Sequence, residues 1–476
     1  MKVFDNFIGG QYTKTADYID VFNPASGIVY AQVANASQQD LEHAVSSAKT
    51  AYPRWSIMPI QERSKILHRL ADLIEENQEV LAMAETEDTG KPITTSRTVD
   101  IPRAAANFRF FANAIVNFHT EAHLQEGIAV NYTRRKPLGL VGCISPWNLP
   151  LYLFTWKIAP ALAMGNCVIG KPSELTPQTA TLLGKMASQA GIPAGVLSIL
   201  HGHGGTIGQA IVDHPDICAI SFTGGTQTGK RIAHAAAAQL KKVSLELGGK
   251  NPILVFEEAD INEAVSEVAR SAFSNQGQIC LCGSRILIQD AIYSSFKSAL
   301  LREVASWLPA DPSLESTRYG ALISKEHLQK VNSYVKSARE EGGTILLGGK
   351  DTIVEGLGGF FYLPTIIEGL PANCRINQEE VFGPVITLQS FQSESEAILL
   401  ANGVEYGLAA SVWTQDVNRA HRVSHQLEAG IVWVNCWMHR DLRTPFGGMK
   451  MSGVGREGGE EAMRFFTEPQ NICIKL

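Results

Sequence analysis

The sequence contains no apolar run long enough to cross a membrane. A spanning helix needs about 18 to 20 mostly apolar residues, and no stretch comes close to that length. The N-terminal segment MKVFDNFIGGQY also lacks the charged region and long apolar stretch that are typical of a secretory signal. We therefore expect a cytoplasmic location and no membrane partner.

An excess of positive charge is missing as well. The chain has 41 basic and 47 acidic residues, with a formal net charge of -6 at pH 7. Proteins whose main role is to bind nucleic acid carry a strongly basic surface, so we expect no nucleic-acid partner. The hydrophobic fraction of 45% and the charged fraction of 18% are typical of a globular protein.

Cysteine is scattered, with eight residues spread over 476 positions. No second C-x-C and no C-x-x-C follows to complete a zinc site, so we expect no metal. Free cysteine packs as a small hydrophobe, and a disulfide framework is not expected in the cytosol. Two cysteines lie one residue apart in FSNQGQICLCGSR, at Cys280 and Cys282. This pair, taken alone, leaves both a structural role and a nucleophile open.

Alternating strand and helix patterns begin at Leu138. The segments GLVGCIS, NCVIGKPS, VLSIL, ICAISF and KKVSLEL are apolar and short, with helical patterns between most of them. This alternation predicts the α/β class, with a parallel Rossmann-like sheet that binds ligands at the carboxyl ends of its strands. A second α/β segment begins near Asn251 with PILVF.

The flanking regions complete the predicted organisation. A chain of 476 residues predicts two or three domains. Residues 38–85 predict two amphipathic helices and residues 100–118 predict another, while the Gly-rich stretch 342–359 predicts turns. The C-terminal NICIKL alternates like an edge strand, and such a strand often pairs with another chain, which indicates an oligomer.

Three residues have side chains suited to acyl chemistry, although each has an ordinary explanation. Cys280 follows a glycine-containing loop and would serve as a nucleophile if it became a thiolate. Glu246 ends a predicted strand in VSLELGGKNP, where it would serve as a general base or would simply be a surface or N-cap carboxylate. Asn148 in VGCISPWNLP would donate to an oxyanion, or simply occupy a turn.

Two further segments would suit a dinucleotide. Lys171 and Glu174 in VIGKPSE follow a predicted strand, where a lysine and a carboxylate would hold ribose hydroxyls. The alternative is a surface ion pair. Gly224, Gly225 and Gly229 in SFTGGTQTGK precede a helix, where a pyrophosphate would bind, but the spacing fits neither G-x-G-x-x-G nor the P-loop.

Taken together and in this order, the segments PWN, KPSE, FTGGT, LELGGK, GQIC, EEVFGP and PFGG resemble the NAD(P)-dependent aldehyde dehydrogenase superfamily. The resemblance extends from about Phe22 to the C-terminus. It implies an NAD-binding domain over 1–117 and 138–247 and a catalytic domain over 248–445. It also implies a small β oligomerisation element over 118–137 and 460–476, in a homodimer or homotetramer.

The resemblance assigns roles residue by residue. Cys280 matches the nucleophile, Glu246 the general base, and Asn148 the oxyanion donor. The remaining matches contact the NAD cofactor, namely Trp147, Lys171, Glu174, Gly224, Gly225, Gly229, Leu247, Glu380 and Phe382. Many family members have Ser where this chain has Gly225. The carboxylate of Glu174 favours NAD over NADP, because it repels a 2′-phosphate.

The resemblance also implies a reaction sequence. Cys280 attacks the aldehyde carbon, the thiohemiacetal loses hydride to nicotinamide, and a thioester remains. Glu246 then activates the water that hydrolyses the thioester to a carboxylic acid.

The segment NCWMHRDLRTPFGG bears on the substrate. Within the superfamily it looks most like the dehydrogenases of 2-aminomuconate and 2-hydroxymuconate semialdehydes, in which two arginines bind the substrate carboxylate. The match places these at Arg443 and Arg103, with Cys282 shaping the pocket wall. The alternative is that Arg440 and Arg443 pair with Asp441 or face water.

Other functions stay open at this point. Rivals within the family are enzymes of the betaine, retinal or succinic semialdehyde type and a CoA-acylating enzyme. A non-catalytic member is a further alternative. Retention of Cys280, Glu246 and Asn148 together argues against the last of these.

Overall fold

The computed structural model describes all residues, 1–476. Its largest sheet has eight strands, and the central five run parallel, as the alternation from Leu138 predicts. In spatial order the strands are Gly453–Val454, Lys242–Glu246, Ile217–Thr223, Leu140–Ile144, Cys167–Lys171, Leu197–Ile199, Asn6–Ile8 and Gln11–Thr13. The strand Leu140–Ile144 is buried throughout, as expected for a parallel strand covered on both faces.

A second sheet has seven strands, all parallel except the first. In spatial order they are Thr344–Leu347, Thr365–Glu368, Val385–Phe391, Gly283–Gln289, Asn251–Val255, Ala409–Trp413 and Ile431–Val434. The α/β class and the Rossmann-like layer are therefore confirmed.

The smaller sheets lie at the periphery. A three-stranded sheet joins Thr467–Lys475, Ala129–Pro137 and Ala122–Gln125, and another joins Lys2–Phe4, Ile28–Ala34 and Tyr18–Asn23. Two two-stranded sheets pair Asp351–Val354 with Leu357–Tyr362 and Tyr406–Gly407 with Met449–Lys450. The prediction of turns alone over 342–359 was wrong, because Gly356 closes a hairpin with a φ of 77°.

Sixteen α-helices cover the sheets. They are Gln38–Trp55, Ile60–Glu76, Gln78–Thr89, Ile93–Thr95, Ile101–Val116, Pro150–Ala163, Gln178–Ala190, Gln209–Asp213, Thr226–Ala237, Ile261–Phe273, Tyr293–Val304, Lys325–Glu340, Arg375–Gln378, Glu394–Asn402, Val417–Gln426 and Gly459–Phe465. Segments 38–85 form three helices rather than two, because Asn77 leaves helical geometry with a ψ of 20°. Short π-helical segments occupy Ser96–Asp100 and Gly204–Gly208, and 3-10 segments occupy Ser274–Gly277 and Asp290–Ile292. No helix has both the length and the apolar character needed to span a membrane.

Each of the two large sheets takes most of its strands from one predicted domain. The eight-stranded sheet draws strands from both predicted NAD-binding segments, but its edge strand Gly453–Val454 lies outside them. That strand pairs antiparallel with the end of Lys242–Glu246, where Glu246 faces Gly453. The division into functional domains and the role of the three-stranded sheet remain predictions.

Candidate active site

A cavity of about 230 Å³ lies at the carboxyl ends of the strands of the eight-stranded sheet. Eight of the residues singled out in the sequence line it together: Trp147, Asn148, Gly224, Gly225, Leu247, Cys280, Glu380 and Phe382. Segments far apart in the chain therefore meet at one place.

The loop that carries Cys280 is held rigidly. Asn251 Nδ2 donates to the carbonyl oxygens of Cys280 and Cys282 at 2.7 and 2.9 Å. Upstream, Gly277 has a φ of 69°, and a Cβ at this position would come within 2.3 Å of the Gly383 carbonyl oxygen. The glycine therefore lets the cysteine loop pack against the EEVFGP segment.

The Cys280 side chain reaches the cavity as a neutral thiol. Burial raises the pKa of this thiol to about 12, and the Glu380 and Glu246 carboxyls act in the same direction. The Arg440 guanidinium opposes them. A nucleophilic thiolate at neutral pH therefore needs a proton acceptor. Cys282 is 8% exposed, and burial also raises its pKa.

Glu246 is buried beside the cavity without a hydrogen-bond partner on either carboxyl oxygen. Burial raises its pKa well above the ordinary value, and the nearby Glu457 adds to this. Gly447 of the PFGG segment has a φ of 156°, and a Cβ there would lie 2.8 Å from Glu246 Oε1. Glycine is thus required for the loop to approach the carboxyl so closely.

Lys157, Glu457 and Ser221 form a buried polar network close to Glu246. Lys157 Nζ lies 2.6 Å from Glu457 Oε1, which also accepts from Ser221 Oγ at 3.1 Å. Lys157 opposes the rise in the pKa of Glu246. Sequence reasoning missed these residues, since Lys157 and Glu457 are 300 positions apart and belong to no spaced motif.

Asn148 is fixed at both its backbone and its side chain. Its Nδ2 donates to the Gln278 carbonyl at 2.8 Å, and its backbone carbonyl accepts from Lys91 Nζ at 2.9 Å and from Asn275 Nδ2 at 3.1 Å. A primary amide has two N–H groups. One Nδ2 hydrogen is therefore engaged by Gln278 and the other is left for a ligand.

The glycines of the FTGGT segment have different surroundings. Gly225 precedes the helix Thr226–Ala237, and a Cβ there would meet nothing within 4 Å. A Cβ at Gly229 would lie 2.4 Å from Leu247 Cδ2, so this glycine serves helix–strand packing. Thr223 Oγ1 is buried without a partner at the same helix end.

Lys171 is the last residue of the strand Cys167–Lys171, and Glu174 lies three residues beyond it. Lys171 Nζ lies 3.1 Å from Glu174 Oε2, and His203 Nδ1 lies 3.5 Å from the other carboxyl oxygen. Burial raises the pKa of Glu174, but Lys171, a backbone hydrogen bond and His203 together outweigh burial, so the net pKa is lowered and the group is ionised at neutral pH. The pair is thus a partly buried charge cluster rather than a solvated ion pair.

An aromatic cluster closes the opposite wall. Phe382 has a φ of 59°, and the Trp147 ring lies 5.3 Å from the Phe382 ring. His327 Nε2 lies 2.6 Å from the Phe382 carbonyl oxygen, and burial lowers the pKa of His327 to about 4. The imidazole is therefore neutral and donates to Phe382, a contact that no sequence pattern indicated. Glu380 Oε1 accepts from the Gly249 backbone N–H at 2.9 Å.

The structure separates the two arginines that were predicted to bind substrate. Arg103 is largely buried, and its Nε and Nη2 have no hydrogen-bond partner. Arg443 is 80% exposed and bonds Asp441 through Nε and Nη2, so its predicted contact with substrate is not supported. Arg440 occupies the inward position instead, with Nη1 2.8 Å from the Tyr152 hydroxyl.

A second cavity, of about 470 Å³, lies on the other side of the cysteine loop. Its lining includes Leu149, Tyr152, Ile279 and Met438, and Ile279 directly precedes Cys280. Cys280 therefore lies between two cavities, one bounded by the glycine-led helix and one bounded by Tyr152, which contacts Arg440.

Comparisons with known proteins agree with this geometry. The aldehyde dehydrogenase family model matches residues 12–472. The 2-aminomuconic semialdehyde dehydrogenase of Bos taurus is 49% identical over 100% of this chain and 99% of its own length. The 2-hydroxymuconic semialdehyde dehydrogenase of Pseudomonas sp. (strain CF600) is 46% identical over 100% of both chains.

A solved aldehyde dehydrogenase structure has the same fold as this chain. The indole-3-acetaldehyde dehydrogenase AldA of P. syringae, in complex with NAD+, superposes with a TM-score of 0.97 at 38% identity, covering 99% of this chain and 97% of its own. The resemblance seen in the motifs is therefore confirmed, and the chain belongs to the aldehyde dehydrogenase family.

Proposed function

We propose that this enzyme oxidises a muconate semialdehyde, with a 2-hydroxy or 2-amino group, to the carboxylic acid with NAD as the acceptor. The observation that carries the substrate class is the pair Arg103 and Arg440. Both guanidinium groups lie next to Tyr152, which lines the cavity beside the cysteine loop. A guanidinium binds carboxylate bidentately, and a semialdehyde acid carries its carboxylate at the end remote from the aldehyde. The names of the two relatives support the same class.

Cys280 is the proposed nucleophile. Its thiol must lose a proton before it attacks the aldehyde carbon, because the raised pKa keeps it neutral, and the nearby Glu246 carboxylate is the proposed acceptor of that proton. The attack turns the carbonyl oxygen into an oxyanion. The free Nδ2 hydrogen of Asn148 is the proposed donor to that oxyanion, together with the Cys280 backbone N–H. Cys282 is proposed to shape the wall beside the nucleophile.

Glu246 is the proposed general base for hydrolysis of the thioester on Cys280. Its raised pKa makes it a stronger base than an ordinary carboxylate once it is ionised. Its oxygens have no protein partner, which leaves them able to accept a proton from water. The nearby Glu457 carboxyl raises the pKa of Glu246 further, and the Lys157 ammonium lowers it.

NAD, when bound, supplies the acceptor for the hydride. The residues present fit a dinucleotide, since the Thr223 hydroxyl is an orphaned buried polar group and the space beyond Gly225 is open. Lys171 and Glu174 would hold the adenosine ribose, Glu380 the nicotinamide ribose, and Trp147 and Phe382 the ring. Gly224 would border the phosphates, and Leu247 would border the nicotinamide ring. The ionised Glu174 repels a 2′-phosphate, which favours NAD over NADP.

We also propose assembly as a homodimer or homotetramer through the three-stranded sheet. The strand Thr467–Lys475 forms one edge of that sheet, and most of its residues are exposed. An exposed edge strand presents unpaired backbone groups that favour pairing with another chain. Light scattering on a chain truncated after Thr467, compared with the full chain, tests this proposal, and an unchanged oligomer mass contradicts it.

The substrate class is tested by steady-state kinetics. Purified enzyme is assayed with 2-hydroxymuconate semialdehyde, betaine aldehyde and hexanal, each with NAD and with NADP. We expect the highest kcat/KM for the semialdehyde acid with NAD. A higher kcat/KM for betaine aldehyde or hexanal contradicts the substrate class, and thiol-dependent product formation with CoA would identify an acylating enzyme instead.

A further inference from the structure

Three charged side chains are buried together next to Asn148. The Lys91 ammonium, with 0% side-chain exposure, lies 2.6 Å from Asp100 Oδ2 and 3.8 Å from Glu85 Oε1. Both carboxyls are as deeply buried as the lysine. Buried ion clusters are often no more stabilising than apolar side chains of similar volume. A gain in folding stability therefore does not by itself explain why ionisable side chains occupy these buried positions.

The lysine connects the cluster to the active site. Its Nζ donates to the Asn148 carbonyl oxygen at 2.9 Å as well as to Asp100. The Glu85 carboxyl lies farther away, with Oε1 3.8 Å from Nζ, and interacts with the ammonium through charge rather than through a hydrogen bond. Gly90, with a φ of 71°, ends the helix Gln78–Thr89 and turns the chain so that Lys91 faces inward.

We infer that Lys91 is a positioning residue for the oxyanion site, acting through the peptide of Asn148. This inference rests on the proposed role of Asn148 as oxyanion donor. One Nδ2 hydrogen of Asn148 is bonded to the Gln278 carbonyl at 2.8 Å, so a single hydrogen remains for the substrate oxygen. The direction of that hydrogen depends on the orientation of Asn148, and Lys91 fixes this orientation by binding the Asn148 backbone carbonyl.

The two carboxyls hold the lysine from different elements. Asp100 ends the π-helical segment Ser96–Asp100 and lines the cavity of about 470 Å³. Glu85 Oε2 lies 3.5 Å from the Leu151 backbone nitrogen, in the first turn of the helix Pro150–Ala163. The cluster therefore contacts the chain at Asn148 itself and again three residues later, at Leu151.

Single-turnover kinetics separate a positioning role from a purely structural one. Lys91→Met combined with Asp100→Leu removes the 2.6 Å ion pair, and burial raises the pKa of the remaining carboxyl, Glu85, which favours its neutral form in the variant. We expect the rate of the NADH burst to fall at least about tenfold, because small displacements of a catalytic group have effects of that size. The dissociation constant of NAD, measured by calorimetry, should stay within about twofold. A folded double variant with the parent burst rate overturns the inference.

Lys91→Arg provides a second variant that keeps the charge. The bulkier guanidinium can still pair with Asp100 but displaces the Asn148 carbonyl. We expect a melting temperature near that of the parent and a slowed burst, and a parent-like burst in this folded variant also overturns the inference. Asp88→Asn is the matched control, because Asp88 is as buried as Glu85 on the helix Gln78–Thr89 but accepts from the Gln178 backbone nitrogen at 2.8 Å. It should lower the melting temperature without slowing the burst.

A double-mutant cycle with Asn148→Ala tests the route of the effect. If Lys91 acts through Asn148, adding the Lys91 change to Asn148→Ala should slow the burst by less than about twofold, since both changes remove the same interaction. Additive losses overturn the inference and leave the proposed function intact. A parent-like burst in Asn148→Ala alone overturns the role of Asn148 itself, and the inference with it.

Discussion

Arg103 and Arg440 place their guanidinium carbons 5.6 and 5.5 Å from the centre of the same Trp156 ring. Neither arginine forms a salt bridge within the chain, and burial, with the Arg440 guanidinium acting in the same direction, lowers the pKa of Arg103. Two cations that share one aromatic wall attract an anion more strongly than either would alone. This relationship, rather than the RDLR pattern as such, supports a carboxylate-bearing substrate.

The first prediction concerns that anion. Arg440→Met should lower kcat/KM for a semialdehyde acid about 30- to 100-fold, which corresponds to the roughly 2 to 3 kcal/mol of a lost charged hydrogen bond. The same change should alter kcat/KM for hexanal less than about threefold. Arg443→Ala is the control, because Arg443 bonds only Asp441, and it should stay within about twofold. Equal losses for both arginine variants would count against the assignment.

The second prediction separates the two cysteines. Cys280→Ser should abolish the burst of NADH, because a serine hydroxyl at this site has no comparable nucleophilicity. Cys282→Ser should retain the burst, since Cys282 lies two residues beyond the reactive position and is closed off from solvent. Rapid mixing with limiting aldehyde measures both. A burst that disappears only in the Cys282 variant would reverse the assignment.

The third prediction concerns pH. Glu246 must be ionised to act as base, so the hydrolysis rate should rise as pH increases through its raised pKa. Replacing Glu457 with Gln removes a nearby carboxyl that raises this pKa, so the rising limb should move to lower pH. The rate of thioester hydrolysis between pH 5 and 9 measures the shift. A limb that moves to higher pH would contradict the assigned direction.

The fourth prediction concerns stability. Burial raises the pKa of Glu85 to about 7 from an ordinary 4.5, with Asp100 acting in the same direction and Lys91 opposing. A carboxyl with a raised pKa contributes stability that is present below pH 4.5 and is lost as pH rises through about 7. Glu85→Gln should therefore lose less stability than the parent between pH 5 and 8. Chemical denaturation across this range measures the difference, and a constant gap between the two proteins contradicts it.

The fold was largely predictable because its strands are short, apolar and regularly spaced. Each strand predicted between Leu138 and Glu246 is present, since apolar runs of that length fit a parallel sheet covered on both faces. The helix break at Asn77 was not predictable, because the helical pattern continues through it. The hairpin around Gly356 was hidden by glycines that also suit plain turns.

The candidate site was predictable where motifs carry it and not where packing decides. Asn148 and Cys280 meet as their motifs indicate. The sequence does not distinguish Arg440 from Arg443, because both are flanked by similar residues, and only the turn that pairs Arg443 with Asp441 separates their positions. Lys91 and Glu457 carry no local pattern, so their contacts emerge only from the tertiary fold.

The edge strand Gly453–Val454 has a consequence for biosynthesis. It closes the sheet beside Glu246, yet it lies 173 positions after Cys280 (453 − 280). During translation Cys280, the proposed nucleophile, emerges long before the strand that completes the wall around Glu246, the proposed general base. A nascent or truncated chain that ends before this strand therefore carries the cysteine without the completed wall around Glu246, and we expect such a chain to lack dehydrogenase activity.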